Sequence, residues 1–232
     1  MERADEAKRR AAVASTELVR SGQIVGLGSG STANYMIEEL GRRVRREKLR
    51  IMGVSTSIQT AELAAEWGIP LTTLDDHPRL DIAIDGADQV DPCLNLIKGM
   101  GGALTREKIV DSAAEMLAIV VDEGKMAPQL GVNQVVPVEV IPFAAAPVMR
   151  KLAELGGKSS IRTARDKGGC FTTDNGNCII DVDFGSIIDA KRLEMEIKMV
   201  SGVVESGLFV EMAKIVYVGS NSCVRKIERR MH

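Results

Sequence analysis

Short apolar runs alternate with amphipathic segments through the first half of the chain. Over residues 6–20, apolar side chains recur at helical spacing, and Gly22 supplies a stop. Further helices are predicted over about residues 32–46 and 103–115, and another helix carries Ala61, Leu63, Ala64 and Trp67. Between the helices lie runs that predict short strands: QIVGLG, IMGVS, LTTL, DIAID and MLAIVV. This alternation is typical of a mostly parallel α/β sheet.

The pattern changes near Ala127, after which four prolines fall within about 20 residues. The run PVEVIP, helices near 144–155 and 189–199, and a hairpin turn at 174–177 follow, and together they predict the order β-α-β-β-α-β. The closing run KIVYVGS predicts a strand that rejoins the first sheet. The predicted fold class is α/β, a Rossmann-like open, parallel-rich sheet domain with a smaller inserted α+β domain of the ferredoxin-like kind. The predicted bounds are 1–127 with 208–232 for the first domain and 128–207 for the second.

Length, composition and charge exclude several classes of protein. A chain of 232 residues with 45% apolar and 27% charged residues matches an ordinary globular protein rather than a disordered or disulfide-stapled one. The net charge of −2 and the aromatic content of 3% argue against a nucleic-acid partner. The basic stretch 42–50 is better explained as a solvated helix end. The longest apolar run, 116–121, is too short to span a membrane, and the charged N-terminal segment lacks an apolar leader, so a cytoplasmic location is expected.

The sequence predicts no metal site. The four cysteines form no C-x-x-C pair, and only two histidines are present. We expect the cysteines to be small buried apolar residues.

Four loops that follow predicted strands carry the candidate chemistry, since an open α/β sheet binds ligands at the carboxyl ends of its strands. The first, Gly26 to Thr32, fits neither a Walker pattern nor G-x-G-x-x-G. Its small residues predict either a helix N-terminus that binds one phosphate or carboxylate, or an ordinary capped turn.

The second loop, Asp85-Gly86-Ala87-Asp88, brings two carboxylates to the end of a strand, where they suit sugar hydroxyls, acid–base chemistry, a metal ion or an Asx-type turn. The third combines Lys98, a glycine-rich stretch and Glu107 in the first turn of a helix. Glu107 is either a partner of the helix dipole or a general base. The fourth loop, 122–125, adds Lys125.

In their order and spacing, GLGSGST, DGAD, KGMGGALTREK and VVDEGK resemble ribose-5-phosphate isomerase of the A type. The resemblance extends to PVEVIP, the LGG at 155–157, TDNGN and SGVVESGLF, and it covers nearly the whole chain. It implies an aldose–ketose isomerase of the non-oxidative pentose phosphate pathway. Such an enzyme interconverts D-ribose 5-phosphate and D-ribulose 5-phosphate through an enediol(ate), without a metal or other cofactor. It also implies a homodimer or homotetramer, for which the apolar, proline-rich stretch 137–149 is a candidate interface.

The resemblance assigns roles to individual residues. Glu107 would be the base that moves a proton between C1 and C2, Asp85 and Asp88 would orient hydroxyls and assist ring opening, and Lys98 would stabilise the enediolate. Lys125 would support substrate binding, and Lys8 aligns with a lysine that helps to hold the phosphate. The remaining substrate-binding positions are Ser29, Gly30, Ser31, Thr32, Gly86, Ala87, Gly99, Met100 and Gly101.

Two positions depart from the family pattern. Ser29 replaces a usual threonine and keeps the hydroxyl. Met100 replaces a usual glycine, so its side chain is expected to restrict φ or to crowd the loop.

Three other functions remain as alternatives. A non-catalytic sugar-phosphate sensor of the same fold would carry a DNA-binding segment or lack the base. A CoA-transferase-like protein would use a glutamate nucleophile in a different loop. A dinucleotide-dependent oxidoreductase would need the glycine fingerprint that the first loop lacks.

Overall fold

The computed structural model describes residues 2–164 and 169–229, and packing groups the chain into two units. The first unit contains the residues up to Ala87, the segment Arg106–Met126 and the residues from Met212 onward. The second contains Asp88–Thr105 and Ala127–Glu211.

Six α-helices and thirteen strands are described, and their bounds follow the hydrophobic pattern of the sequence. The helices are α1 Glu2–Ser15, α2 Ser31–Glu47, α3 Ile58–Glu66, α4 Leu104–Ala113, α5 Ala145–Glu154 and α6 Ala190–Lys198. The strands are β1 Ile24–Leu27, β2 Met52–Ser55, β3 Ile82–Gly86, β4 Gln89–Val90, β5 Leu96–Ile97, β6 Leu117–Asp122, β7 Val136–Val140, β8 Lys158–Ile161, β9 Cys178–Asp183, β10 Val203–Ser206, β11 Leu208–Phe209, β12 Ile215–Gly219 and β13 Val224–Glu228.

The first unit is built on a six-stranded sheet with the order β13-β12-β6-β3-β1-β2. All neighbouring pairs are parallel except β12–β13, which is antiparallel. Buried aliphatic side chains of α1 and α2 pack with those of the sheet, among them Ala11, Met36, Leu40, Val25 and Val120. The closing strand β12 pairs with β6, which confirms that the chain returns to the first sheet.

The second unit contains a four-stranded antiparallel sheet with the order β10-β7-β9-β8. Helices α5 and α6 contribute Val148, Leu152 and Ile197 to a core shared with alternate residues of β7 and β9. Together these elements follow the predicted order β-α-β-β-α-β, and the predicted fold class is confirmed. A small sheet, β11-β5-β4, belongs to the same unit.

The bounds of the two units differ from the predicted domain bounds in one main respect. Residues 88–105, which the sequence groups with the first domain, belong to the second unit because β4 and β5 pair with each other and β5 pairs with β11. The domain bounds predicted from sequence remain a prediction.

Three local predictions need correction. The run LTTL forms no strand, and only Leu71 makes an isolated bridge, to Gly53. The turn at 174–177 is closed by an isolated antiparallel bridge between Thr172 and Cys178, but it does not join β8 to β9 directly, because β8 already ends at Ile161. The cysteines are not buried: Cys93, Cys170 and Cys223 are exposed and Cys178 is half-buried, and all four are free thiols.

The basic stretch after position 42 is a helix end, as predicted. Arg42 pairs with Glu39 and Glu47, and Arg43 reaches the backbone carbonyl of Val19. Arg45 and Arg46 lie in the last turn of α2, where the helix dipole favours cations. Within residues 2–164 and 169–229, no helix is both long and apolar enough to cross a membrane.

Candidate active site

The carboxyl ends of β1 and β3 lie side by side in the first unit. The two strands pair in parallel with Leu27 opposite Ile84, so the residues that follow each strand leave the same edge of the sheet. Strand β1 also pairs with β2 on its other side, which makes the gap between β1 and β3 the point where the strand order reverses. Open α/β sheets bind their ligands at such a point.

Asp85 is fixed at this edge by backbone hydrogen bonds. Its side chain is fully buried, and Oδ1 accepts from the amides of Gly86 at 2.6 Å and Ser29 at 3.0 Å. Gly28 permits the close approach of the two loops, since a Cβ at that position would lie 2.2 Å from Asp85 Oδ1. The structure therefore brings together two loops that are 56 residues apart in sequence.

The hydroxyl of Ser29 belongs to a polar cluster that the sequence analysis missed. Ser29 Oγ lies 2.7 Å from Thr56 Oγ1 and donates to Ser57 Oγ at 2.8 Å, and Thr60 Oγ1 lies 3.0 Å away. Thr60 in turn donates to the carbonyl of Gly28 at 3.1 Å. The cluster fixes the first loop from the side of β2 and α3, where the sequence STSIQT follows the strand.

The N-terminus of α2 follows this loop directly. Gly30 has a φ of 99°, which favours glycine, and the helix begins at Ser31. Lys8 on α1 donates to Ser31 Oγ at 3.3 Å. The first turn of a 17-residue helix and an ammonium group thus lie next to each other, an arrangement that suits a phosphate.

Glu107 lies in the first turn of α4, as predicted, and its side chain is only 5% exposed. Lys125 ends a short 3-10 helix that follows β6, the strand beside β3 on the other side from β1. Asp122 begins that helix by accepting from the amide of Gly124 at 2.9 Å. Lys125 is therefore carried at the same sheet edge as Asp85.

In the second unit, Asp88 and Lys98 flank the small sheet. Asp88 Oδ2 accepts from the amide of Met100 at 2.9 Å, so this carboxylate holds the glycine-rich loop. Lys98 is 2% exposed, and its Nζ lies 5.3 Å from the ring centroid of Phe209. Its amide donates to the carbonyl of Gly207 at 2.9 Å, which fixes the backbone where the loop begins.

Met100 does not strain the loop, contrary to the expectation from sequence. The left-handed conformations fall on its neighbours Gly99 and Gly102, with φ values of 98° and 87°, and Met100 has no positive φ. Its side chain is exposed, and the expectation that it crowds the substrate site stays a prediction.

Arg162 and Asp181 form a second support for the loop that the sequence did not reveal. Arg162 Nη1 donates to the carbonyls of Gly99 at 2.9 Å and Met100 at 3.0 Å. Both carboxylate oxygens of Asp181 accept from the same guanidinium, at 2.9 Å for the Nε bond. The sequence does not predict this pair, because Arg162 and Asp181 are 19 residues apart and belong to no common motif.

Within the described parts of the chain, no group of three or more histidine, cysteine, aspartate or glutamate side chains is arranged to hold a metal ion. Each unit carries carboxylates, lysines and backbone amides in loops next to its strands. These groups suit a small, anionic, hydroxylated ligand and proton transfer.

The fold and these groups define an α/β protein of the sugar-phosphate-binding class, with candidate acid–base residues in loops after the strands. The profile of the family ribose 5-phosphate isomerase A (phosphoriboisomerase A) matches residues 52–223. The chain is 52% identical over 223 residues to ribose-5-phosphate isomerase A of Methanosarcina acetivorans, covering 96% of this chain and 94% of that protein. It is 53% identical over 213 residues to the protein of the same name from Thermosynechococcus vestitus, covering 91% and 90%.

Two solved structures are also similar. Ribose 5-phosphate isomerase A from Methanocaldococcus jannaschii has a TM-score of 0.92 and 46% identity, and the match covers 96% of this chain and 98% of that one. A D-ribose-5-phosphate isomerase in complex with phospho-erythronic acid has a TM-score of 0.95 and 42% identity, with coverage of 97% and 99%. The chain belongs to the ribose 5-phosphate isomerase A family.

Proposed function

We propose that this protein interconverts D-ribose 5-phosphate and D-ribulose 5-phosphate, as an aldose–ketose isomerase of the non-oxidative branch of the pentose phosphate pathway. The 52% identity to a protein of that name over 96% of the chain is the observation that carries the proposal. A relative of the same fold binds phospho-erythronic acid, which is a phosphorylated sugar acid. The carboxylates, lysines and helix N-terminus described above are the groups that such a ligand requires.

Glu107 is the base in this proposal. It removes the proton from C2 of the open-chain aldose and delivers a proton to C1, while the hydroxyl proton passes from O2 to O1. The intermediate is an enediol(ate), and no redox partner is needed because the oxidation of C2 balances the reduction of C1. A positioned carboxylate contributes about 10²–10⁴-fold to the rate through such a transfer. Burial of the side chain supports this role, since it keeps bulk water from competing.

Lys98 stabilises the negative charge that develops on the oxygens of the enediolate. Preorganised positive charge is essential here, because a proton next to a carbonyl is too weakly acidic to leave otherwise. Asp85 and Asp88 orient the sugar hydroxyls and assist ring opening. The backbone bonds that fix Asp85 Oδ1 support such an orienting role.

The substrate is bound by residues from several of the loops that follow strands. The first turn of α2, with Ser29, Gly30, Ser31 and Thr32, binds the anionic end together with Lys8 and Lys125. Gly86, Ala87 and the backbone of Gly99, Met100 and Gly101 complete the binding set. No cofactor takes part in the proposed reaction.

We further propose a cytoplasmic enzyme that assembles as a homodimer or homotetramer. In this arrangement the first unit is the α/β catalytic domain, and the second is a small α+β domain that also carries residues 88–105. Exposed apolar side chains in the second unit support self-association, since Phe143 is 97% exposed at the tip that follows β7.

An isomerase assay in the presence of a strong chelator tests the proposal. We expect full conversion of ribose 5-phosphate to ribulose 5-phosphate, with no change in rate after prolonged incubation with EDTA. In deuterated water the fraction of product that carries deuterium at C1 measures how often the proton on the base exchanges with solvent before it reaches C1. Binding without turnover would instead identify a sugar-phosphate sensor, and loss of activity in EDTA would exclude the metal-independent mechanism.

A further inference from the structure

Glu139 is a buried carboxylate for which the proposed mechanism has no use. It lies on β7, where all five residues are buried, and its own side chain is 0% exposed. Alternate residues of this strand, Val136, Val138 and Val140, pack into the core with α5 and α6. Because side chains alternate along a strand, Glu139 points to the other face of the sheet.

Four neutral donors converge on this carboxylate. Oε1 accepts from Thr173 Oγ1 at 2.9 Å, Asn175 Nδ2 at 3.1 Å and Asn177 Nδ2 at 2.8 Å. Oε2 accepts from Thr105 Oγ1 at 2.6 Å. A buried carboxylate that accepts several hydrogen bonds is held in a single orientation, and each of these bonds is stronger than one between neutral groups.

The bond to Thr105 matters because of where Thr105 lies. Thr105 is the second residue of α4, and it precedes Glu107 by two positions in the same turn. Two residues correspond to about 200° around a helix of 3.6 residues per turn, so the two side chains lie on nearly opposite sides of the helix. A hydrogen bond that fixes Thr105 on one side therefore sets the rotation and position of Glu107 on the other.

We propose that Glu139 is a positioning residue for the isomerisation, which acts through Thr105 to fix the first turn of α4 and hence the carboxylate of Glu107. The turn at 173–177 then also helps to orient Glu139. Its threonine and two asparagines occupy Oε1, which leaves Oε2 directed at Thr105. The inference rests on the proposed role of Glu107.

The test compares two variants that each remove one hydroxyl from the same carboxylate. Thr105→Val cuts the link between Glu139 and α4, whereas Thr173→Val removes a donor on the side of the turn and leaves that link intact. We expect Thr105→Val to lower kcat by about 10- to 100-fold with KM changed less than about two-fold, since small misplacements of a catalytic group are costly. Thr173→Val should lower the Tm to a similar extent with a much smaller loss of kcat.

Rescue and a direct structural readout complete the experiment. Thr105→Ser keeps the hydroxyl and should restore kcat to within about three-fold of wild type. Hydrogen exchange should be faster at the first amides of α4 in Thr105→Val, and unchanged there in Thr173→Val. Equal losses of kcat in the two valine variants, or a fall in Tm without any fall in kcat in Thr105→Val, would overturn the inference.

These outcomes are separate from a failure of the proposed function. If Glu107→Gln retains activity, Glu107 is not the base, and hydrogen exchange in α4 still reports whether Glu139 and Thr105 fix the helix. If Glu107→Gln is inactive and Thr105→Val has normal kcat and normal exchange, only the positioning role is wrong.

Discussion

The close approach of Gly28 and Asp85 makes the first loop intolerant of any side chain at position 28. A Cβ there would lie 2.2 Å from Asp85 Oδ1 and 2.5 Å from its Cα, so the loop or the strand must shift. We expect Gly28→Ala to reduce the free energy of unfolding by about 1–3 kcal/mol, the usual cost of overpacking. It should also lower kcat/KM, because the proposed mechanism relies on Asp85 to orient the sugar. Urea unfolding and steady-state kinetics measure the two effects.

Gly169→Ala is the matched control for that variant. A Cβ at Gly169 meets no atom within 4 Å, and the residue has no positive φ. It should retain both stability and activity. A Gly28→Ala protein that behaved like this control would show that the contact with Asp85 does not constrain the site.

The sequence identified site residues that belong to a loop motif, but it did not identify residues that only the packing of the folded chain brings to the site. The loops after the predicted strands identified Asp85, Lys98 and Glu107 as candidates, because their types and spacing suit the chemistry. Thr56 and Ser57 gave no such signal, since short polar residues after a strand also serve as ordinary helix caps. Only the pairing of β1 with β2 brings them to Ser29.

At the scale of elements, the antiparallel sheet of the second unit supports the glycine-rich loop. Arg162, which follows β8, is held by Asp181 on β9 and donates to the carbonyls of Gly99 and Met100. We expect Arg162→Lys to raise KM by about 10-fold or more while kcat changes less, because a charged hydrogen bond is worth about 1.5–3 kcal/mol and lysine lacks the planar fork. Steady-state kinetics measure the split between KM and kcat.

Arg150→Lys supplies the matched control. The side chain of Arg150 is 72% exposed and pairs across one helical turn with Glu154, so its replacement should leave both constants unchanged. A wild-type KM in Arg162→Lys would mean that the loop holds its shape without this arginine.

Elements with a strong periodic pattern were predicted well, and those without one were not. Helices α2 and α4 begin within one residue of the predicted positions, because their apolar spacing and start signals agree. The LTTL run has the residue types of a strand, yet it makes a single bridge and then turns at Leu74. A strand also needs a neighbouring strand for its backbone hydrogen bonds, and residue types do not show whether one is present. A run of four residues with strand propensity is therefore weak support for a strand.

At the scale of the whole molecule, exposed apolar side chains in the second unit bear on assembly. Phe143 is 97% exposed, which is costly for an aromatic side chain in water. We expect Phe143→Asp to shift the protein toward monomers at micromolar concentration, as measured by analytical ultracentrifugation. Leu71→Asp introduces the same charge at an apolar position that is 39% exposed in the first unit, and it should leave the mass unchanged. A mass that is the same for wild type and Phe143→Asp at all concentrations would rule out an interface at this tip.

The fold class was readable from the sequence, whereas the division of the chain into units was only partly so. Alternation of strands and helices predicts a parallel sheet, and the proline cluster predicts a boundary near Ala127, the residue at which the second unit resumes. Residues 88–105 carry no comparable signal, because two-residue strands such as β4 and β5 have no period. Their membership of the second unit follows from long-range pairing with β11, which only the folded chain shows.

The central claim is that Glu107 is the base of the isomerisation, and its most direct test is the rate at which the Glu107→Gln variant isomerises ribose 5-phosphate. The substitution keeps the size and shape of the side chain, but it replaces a carboxylate oxygen with an NH2 group and removes the charge, so the side chain can no longer accept the proton from carbon. Turnover of ribose 5-phosphate should fall by at least about 10³-fold while the variant still binds the substrate, as the loss of a general base predicts. A Glu107→Gln protein that turns over at close to the wild-type rate would contradict the account.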